Sequence, residues 1–328
     1  MAQEYERELK SAIEAVLLGS RICRSVQAQL APAALSKQDK SPVTVADYSS
    51  QAVVCRILEQ SFPNDPVIGE EDSAALRLAE NIPFQRQISQ FLAEGGIAAG
   101  IGEICDWIDR GNASKYSPRF WTLDPIDGTK GFLRGEQYAV SLALIVDGRP
   151  VVSALGCPNL VDPSTGAIGQ IFYAVRGRGA FTIPLDNPTA LPLRIRVSGE
   201  SDLSSARMCE SVEAGHSSHD VSAQVVRALG IAGQPVRLDS QAKYAVVARG
   251  EAELYLRLPT RPDYREKIWD HAGGVLIVQE AGGMVTDVTG KPLEWTHGAE
   301  LAANRGIVVS HGPWHERILT LLADLGVK

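Results

Sequence analysis

Apolar positions in the first third of the chain recur mainly at helical spacing. Leu9, Ile13 and Leu17 follow one another at intervals of four residues, which places them on one face of an amphipathic helix. The sequence Pro-Asn-Asp-Pro at 63–66 favours a turn, and it ends a second stretch of helical character. The elements predicted in this part are helices over residues 4–30 and 49–62, a short strand at 67–68 and a mixed, mainly helical stretch over 73–102.

From residue 120 onward the pattern changes to short apolar runs that are typical of strands. Asp147-Gly148 separates two of these runs, and because this dipeptide favours tight turns, the two runs are predicted to form a hairpin. A loop that contains several prolines follows the last run. Strands are predicted over residues 120–123, 138–146, 150–155, 171–175 and 180–183.

Beyond this loop, at residues 185–192, short apolar strands alternate with helix-like stretches. The stretches cover residues 207–209, 219–229, 236–238, 244–249, 253–256, 271–280, 284–286 and 314–325. Alternation of this kind is typical of α/β proteins. We therefore expect an N-terminal α+β domain over residues 1–195 and a C-terminal α/β domain over residues 196–328.

The composition is that of an ordinary globular protein. Hydrophobic residues make up 45% of the 328 positions and charged residues 22%, which excludes a disordered chain and allows a large core. The five cysteines are widely spaced and include no Cys-x-x-Cys pair. Neither a disulfide framework nor a zinc site is therefore indicated.

Charge and hydropathy narrow the choice of partners and of compartment. The net charge of −7 argues against a nucleic-acid binder, since such proteins are usually basic. The N-terminus is charged and lacks an apolar signal core, and the best apolar run, 139–146, is too short to span a membrane. We expect a soluble cytoplasmic protein, a monomer or weak oligomer without nucleic-acid or membrane partners. A plastid or mitochondrial protein without its transit peptide would have the same features.

The densest chemical signal is the segment from Asp124 to Gly131. Asp124 and Asp127 lie three residues apart around a proline, so a stiff turn after a strand can direct both carboxylates and the Ile126 carbonyl to one point. Gly128 allows a sharp turn, and Thr129 is expected to begin a helix. Clustered hard oxygen ligands suit Mg²⁺, which commonly also binds substrate phosphate. An acidic turn that only caps a helix is the alternative.

Two further acidic segments favour the metal site over the helix cap. Glu70 and Glu71 follow a short apolar strand, and Asp270 precedes a small-residue run of helical character. Each segment taken alone is more often an ordinary helix start or has no function at all. If acids from three segments converge, however, they build a site for more than one metal ion. Asp47 is a fourth, more weakly marked candidate.

Taken together, these segments resemble the inositol monophosphatase family of metal-dependent, lithium-sensitive phosphatases. Its signature segments occur here in order and across most of the chain. Later segments resemble one branch of that family, the 3'(2'),5'-bisphosphate nucleotidases of the yeast and plant type. The segments that carry the resemblance are Asp47, residues 69–71, 124–146, 210–220, 238–244, 255–259 and 266–271.

The resemblance implies a fold and a role for individual residues. The fold is a layered α/β/α/β/α sandwich with the metal ions between its two parts. Two or three Mg²⁺ ions are implied, and Asp47 with Thr129 would activate the attacking water. The implied metal ligands are Glu70, Asp124, the Ile126 carbonyl, Asp127 and Asp270, with Glu71 as a candidate ligand of a third ion. The implied substrate contacts are Thr129, His216, Ser240, Lys243, Arg257 and Asp270.

The resemblance also implies a substrate. This is 3'-phosphoadenosine 5'-phosphate, hydrolysed to AMP and phosphate, with 3'-phosphoadenosine 5'-phosphosulfate cleaved in the same way and with inhibition by Li⁺. The cations Lys243 and Arg257 suit a second phosphate that is not cleaved. Two alternatives remain open: a broader phosphatase for inositol phosphates, and a non-catalytic sensor of the nucleotide or the metal. Retention of Asp47, Glu70 and Thr129 argues against the sensor.

Overall fold

The computed structural model describes residues 4–29, 34–36, 42–212, 219–259, 261 and 263–327. The predicted nucleotide contact His216 lies outside these residues, so its role stays a prediction. The helices are α1 Glu6–Gln29, α2 Val45–Ser61, α3 Ile82–Glu94, α4 Ile101–Asp109, α5 Thr129–Leu133, α6 His219–Leu229, α7 Ala242–Ala248, α8 Ala272–Glu280 and α9 His315–Asp324. The strands are β1 Ala34–Ser36, β2 Pro42–Thr44, β3 Val67–Gly69, β4 Arg119–Asp127, β5 Ala139–Val146, β6 Arg149–Val161, β7 Ile168–Val175, β8 Gly179–Pro184, β9 Leu193–Ile195, β10 Met208–Glu210, β11 Val236–Arg237, β12 Leu254–Arg257, β13 Met284–Thr286 and β14 Ile307–Ser310.

The larger sheet has seven strands in the order β3-β4-β5-β6-β7-β8-β9. Its first pair, β3 and β4, is parallel, and every later pair is antiparallel. The predicted hairpin between β5 and β6 is confirmed. Both turn residues, Asp147 and Gly148, have left-handed φ values of 47° and 69°, as a tight two-residue hairpin turn requires.

The smaller sheet has five strands in the order β11-β10-β12-β14-β13. Strand β10 runs parallel to both of its neighbours, whereas β14 is antiparallel to both β12 and β13. The periodicity of the sequence did not indicate β14, which carries a short apolar run between two loops. Its pairing with β12 and β13 closes the sheet.

Helices and sheets alternate as five layers, which confirms the predicted α/β/α/β/α sandwich. Residues of α1 and α2, such as Val16 and Val54, share one buried cluster with the near face of the larger sheet. Helices α7 and α8 fill the space between the two sheets and pack with Leu155 and Phe172 of the larger one. Helices α6 and α9 cover the outer face of the smaller sheet. The predicted division of the chain at residue 195 stays a prediction.

Helix α2 begins earlier than its sequence pattern indicated. Thr44 is the N-cap residue, and its hydroxyl accepts hydrogen bonds from the main-chain N–H groups of Ala46 and Asp47. Asp47 in turn accepts a hydrogen bond from the Thr44 N–H at 2.8 Å. This reciprocal capping box stabilises the first turn, so the helix starts at Val45. Among the described residues, no helix is long and apolar enough to span a membrane.

Gly274 in α8 permits close packing of α8 against α7. A Cβ atom at this position would lie 2.4 Å from Cγ of the Tyr244 ring. We expect Gly274→Ala to lower the free energy of unfolding by about 1–3 kcal/mol, because the ring and the helix must move apart. The matched control is Gly102→Ala in α4, where a Cβ has no described atom within 4 Å. Alanine is the better helix former by up to about 1 kcal/mol, so this variant should be stabilised. Urea unfolding of both proteins tests the pair, and changes of the same sign would contradict it.

Candidate active site

The turn at the end of β4 presents two of the predicted metal ligands. The pairing of β4 with β5 is irregular between Asp124 and Asp127, so both carboxylates leave the regular ladder near one point. Gly128 follows with a φ of 85°, and a Cβ there would lie 3.0 Å from Cβ of Ser240. Two features therefore require glycine at this position: the left-handed backbone and the close contact with the Ser240 loop.

Pairing of β3 with β4 brings a third carboxylate to the same place. The two strands are parallel, with Gly69 opposite Leu123, so the residues that follow each strand leave the same edge of the sheet. Glu70 lies beside Asp124, and its charge adds to burial in raising the pKa of that carboxyl. Carboxylate oxygens of Asp124, Asp127 and Asp270 lie within 4.8 Å of one another. Four acids from three distant segments thus meet in one cluster.

The charges of this cluster oppose each other strongly. Burial raises the pKa of Asp124 well above its ordinary value, and the neighbouring charges of Glu70, Asp127 and Asp270 raise it further. Burial also raises the pKa of Asp270, against the opposing effect of Arg257. Such repulsion between buried carboxylates is relieved by a bound cation.

A metal ion fits the donors that the cluster offers. Asp124 Oδ1 is buried and has no hydrogen-bond partner among the described residues, although a buried carboxylate oxygen normally has one. The available ligands are all hard oxygens, from carboxylates and from the Ile126 carbonyl, and these suit Mg²⁺ rather than softer metals. Glu71 is buried beside Glu70 in sequence, and its predicted part in a third metal site stays a prediction.

Asp47 and Thr129 lie next to each other, as a role in activating water requires. The Thr129 hydroxyl lies 3.5 Å from Asp47 Oδ1 and 3.3 Å from the Ile126 carbonyl oxygen, and it can donate to either. Asp47 is fully buried, and its Oδ2 accepts hydrogen bonds from the main-chain N–H and the hydroxyl of Thr44. The helix cap therefore fixes the carboxylate that faces Thr129.

The predicted nucleotide contacts line a cleft beside the acidic cluster. Ser240, Lys243 and Arg257 share this cleft with Asp127 and Asp270. Lys243 is only 3% exposed, and its Nζ donates hydrogen bonds to the carbonyls of Leu238 at 3.3 Å and Ser240 at 2.8 Å. Of the six predicted substrate contacts, the structure thus brings Ser240, Lys243, Arg257 and Asp270 together in one cleft with the predicted metal ligand Asp127.

A buried chain of polar groups that the sequence did not reveal orients Arg257. The Tyr244 hydroxyl bonds His271 Nδ1 at 2.7 Å, and His271 Nε2 lies 3.0 Å from Glu266 Oε2. The same Glu266 oxygen lies 2.8 Å from Arg257 Nε, and Arg257 Nη2 lies 3.6 Å from Asp270 Oδ2. Although burial raises the pKa of Glu266, the charges of Arg257 and His271 and their hydrogen bonds prevail and lower it to about 2.

This low pKa predicts how stability depends on pH. The folded-state pKa of Glu266 lies below its ordinary value of 4.5, so its stabilisation is fully present above pH 4.5 and is lost as the pH falls toward 2. Glu266→Gln removes this contribution and takes the nearer of two carboxylates from Arg257, whose other one, Asp270, lies 3.6 Å away. We expect a loss of roughly 3 kcal/mol at pH 7 that shrinks progressively as the pH falls from 4.5 to about 2. Denaturant unfolding of both metal-free proteins at several pH values measures it; a pH-independent difference would disprove the assignment.

The chain is similar to proteins of one family over nearly its whole length. The model of the inositol monophosphatase family matches residues 4–326. The chain is 43% identical to the 3'(2'),5'-bisphosphate nucleotidase of Schizosaccharomyces pombe, over 99% of this chain and 97% of that protein. It is 38% identical to the probable 3'(2'),5'-bisphosphate nucleotidase 4 of Arabidopsis thaliana, over 98% of this chain and 95% of that one.

A solved structure agrees with these relatives at the level of the fold. The inositol monophosphatase of Anabaena superposes with a TM-score of 0.63 at 22% identity, over 97% of this chain and 95% of that one. The resemblance found in the sequence is therefore confirmed, and the chain belongs to the inositol monophosphatase family.

Proposed function

We propose that the protein is a Mg²⁺-dependent phosphatase that removes the 3'-phosphate of 3'-phosphoadenosine 5'-phosphate to give AMP and phosphate. In the same way it would convert 3'-phosphoadenosine 5'-phosphosulfate to adenosine 5'-phosphosulfate. The observation that carries the proposal is one cleft in which the acids Asp127 and Asp270 lie beside the cations Lys243 and Arg257. Relatives named as bisphosphate nucleotidases support the same substrate class.

The acidic half of the cleft suits the phosphate that is cleaved. The residues that would hold two or three Mg²⁺ ions are Glu70, Asp124, the Ile126 carbonyl, Asp127 and Asp270. Bound Mg²⁺ would neutralise the phosphate and lower the pKa of the attacking water. The carboxylates themselves repel a phosphate dianion, so without the cations this half of the cleft would exclude the substrate.

Thr129 and Asp47 are placed to handle the proton of the attacking water. As Thr129 Oγ1 accepts a proton from water, its own hydroxyl proton can pass to Asp47 Oδ1, 3.5 Å away. Such distances are often long before the substrate binds and shorten in the reacting complex. The hydrogen bonds from Thr44 hold Oδ2 of Asp47, which keeps Oδ1 directed toward Thr129.

The cationic half of the cleft suits the phosphate that is retained. Lys243 uses two carbonyl acceptors, and an ammonium group has three N–H donors, so one donor remains for a substrate oxygen. Arg257 Nε lies 2.8 Å from Glu266 Oε2, and Nη2 lies 3.4 Å from the Tyr264 hydroxyl and 3.6 Å from Asp270 Oδ2, so these partners fix the guanidinium at the wall of the cleft. Together these groups would favour a substrate with a second anionic group at a fixed distance from the cleaved phosphate.

A phosphate-release assay tests the proposal and its alternatives. We expect the highest kcat/KM for 3'-phosphoadenosine 5'-phosphate, a lower value for 3'-AMP, no release without a divalent metal, and inhibition by Li⁺. A higher kcat/KM for inositol 1,4-bisphosphate would support the broader inositol-phosphate phosphatase instead. Binding of the nucleotide without any phosphate release in the presence of Mg²⁺ would support the non-catalytic sensor.

A further inference from the structure

Two buried glutamine side chains bind the main chain directly beside metal-ligand candidates. The first is Gln51, which is fully buried in α2. Its Oε1 accepts a hydrogen bond from the Glu71 N–H at 3.1 Å, and its Nε2 donates to the Glu71 carbonyl and, at 3.0 Å, to the Ile108 carbonyl. Because the amide group binds both polar groups of Glu71, it fixes the peptide planes on either side of that residue, and one of these joins Glu70 to Glu71.

The second side chain is Gln241, which is 1% exposed at the start of α7. Its Nε2 donates to the Trp269 carbonyl at 2.9 Å, and Trp269 directly precedes Asp270. Its Oε1 accepts from the Ser141 hydroxyl at 3.0 Å and from the Gly274 N–H at 3.3 Å. In addition, the main-chain N–H of Gln241 donates to Asp127 Oδ2 at 2.6 Å. One residue thus connects two ligand-bearing segments to the larger sheet.

The surrounding glycines leave room for these side chains. A Cβ at Gly69 would lie 2.9 Å from Gln51 Oε1, and a Cβ at Gly111 would lie 2.6 Å from its Nε2. A Cβ at Gly273 would lie 2.4 Å from the Ser141 hydroxyl that binds Gln241. Any larger residue at these positions would displace one of the two amide groups or its partner. The hydrogen bonds of both glutamines therefore depend on glycine at these three positions.

The charges of the carboxylate cluster explain why the main chain needs to be held by these two glutamine side chains. Carboxylate oxygens of Asp124, Asp127 and Asp270 lie within 4.8 Å of one another, and repulsion between like charges at this distance acts to separate the segments that carry them. We propose that Gln51 and Gln241 are positioning residues that hold the main chain of the Glu70 and Asp270 segments in place, so that their carboxylates converge before a metal binds. The proposal rests on the metal site of the proposed function, and on no particular substrate.

Direct metal titration tests the proposal without an activity assay. Gln51→Met and Gln241→Met keep the side-chain volume and remove the amide hydrogen bonds. We expect Mn²⁺ to bind each metal-free variant about 10–100-fold more weakly than wild type in calorimetric titration, as when an outer partner of a metal ligand is lost. The matched control is Gln170→Met. Gln170 is equally buried, in β7, and its amide accepts from the Thr182 hydroxyl at 2.9 Å, with no contact to the cluster.

The control separates positioning from a general loss of stability. All three variants should have lower melting temperatures, but Gln170→Met should bind Mn²⁺ within twofold of wild type. If Gln241→Met does not fold, Ser141→Ala removes only the hydroxyl that orients Gln241, and we expect it to weaken Mn²⁺ binding about 2–5-fold, the loss of one modest hydrogen bond. The proposal would be overturned by wild-type Mn²⁺ affinity in the folded Gln51→Met and Gln241→Met variants, or by equally weakened binding in Gln170→Met. It would also be overturned if the wild type bound no Mn²⁺. Wild-type Mn²⁺ binding without hydrolysis of the bisphosphate would disprove the proposed function alone.

Discussion

Replacing Asp127 with asparagine is expected to lower kcat for 3'-phosphoadenosine 5'-phosphate at least about 1000-fold while the protein stays folded. Loss of an outer partner of a metal ligand alone costs about 10–100-fold, and Asp127 is a proposed ligand itself. In the wild type, the Gln241 N–H donates a hydrogen bond to Asp127 Oδ2 at 2.6 Å. Asparagine has the same shape and still presents an oxygen to this N–H group. Removing one charge also relieves the repulsion on Asp124, so the metal-free variant should melt at or above the wild-type temperature.

Asp65→Asn is the matched control for this variant. Asp65 Oδ2 accepts hydrogen bonds from Arg119 Nε at 2.8 Å and Trp121 Nε1 at 3.1 Å, at the opposite end of β4. We expect Asp65→Asn to lose stability and to keep the wild-type kcat, the reverse of Asp127→Asn. Steady-state kinetics and thermal melting of both proteins measure the contrast. Near-normal turnover by Asp127→Asn would remove Asp127 from the proposed site.

Replacing Lys243 with methionine should raise KM for the bisphosphate about 10–100-fold with a smaller effect on kcat. A hydrogen bond to a charged group contributes about 1.5–3 kcal/mol, and each 1.4 kcal/mol corresponds to a factor of ten. Methionine fills nearly the same volume in the buried site beside the Tyr255 ring, so the cleft should keep its shape. The rise in KM should therefore come from weaker binding of the phosphate that is not cleaved.

The substrate 3'-AMP provides the control, because it lacks the 5'-phosphate. If Lys243 binds that phosphate, its replacement should leave KM for 3'-AMP within about threefold of wild type, and the preference for the bisphosphate should largely disappear. An equal rise of KM for both substrates would show that Lys243 acts on the structure of the Ser240 loop, whose carbonyl it binds at 2.8 Å.

Most secondary structure could be predicted from the local sequence. Spacing of apolar residues identified α1, and Asp147-Gly148 identified the hairpin between β5 and β6, because both signals act over a few neighbouring residues. Helix α2 starts before its apolar pattern does, since the cap depends on reciprocal bonds between Thr44 and Asp47 rather than on an apolar pattern. The sequence pattern does not indicate strand β14, because this short strand depends on its pairing with β12 and β13.

For the site as well, the features that could be predicted from the sequence are those formed by neighbouring residues. The short segment from Asp124 to Thr129 already indicated clustered oxygen ligands and a sharp turn, because the residues that form the turn are adjacent in the chain. The order of the acidic segments was also enough to identify the family, since each motif is read from its own residues.

Contacts between distant segments could be known only once the chain was folded. Glu70 lies beside Asp124 because β3 pairs in parallel with β4 in one register, and sequence patterns do not specify which strands pair. The contacts of Gln51, Gln241 and Glu266 join residues up to 114 positions apart, and a glutamine or glutamate carries no local sign that it will be buried. Their effect depends on burial itself, because low solvent exposure is what makes each hydrogen bond and each unpaired charge large in energy.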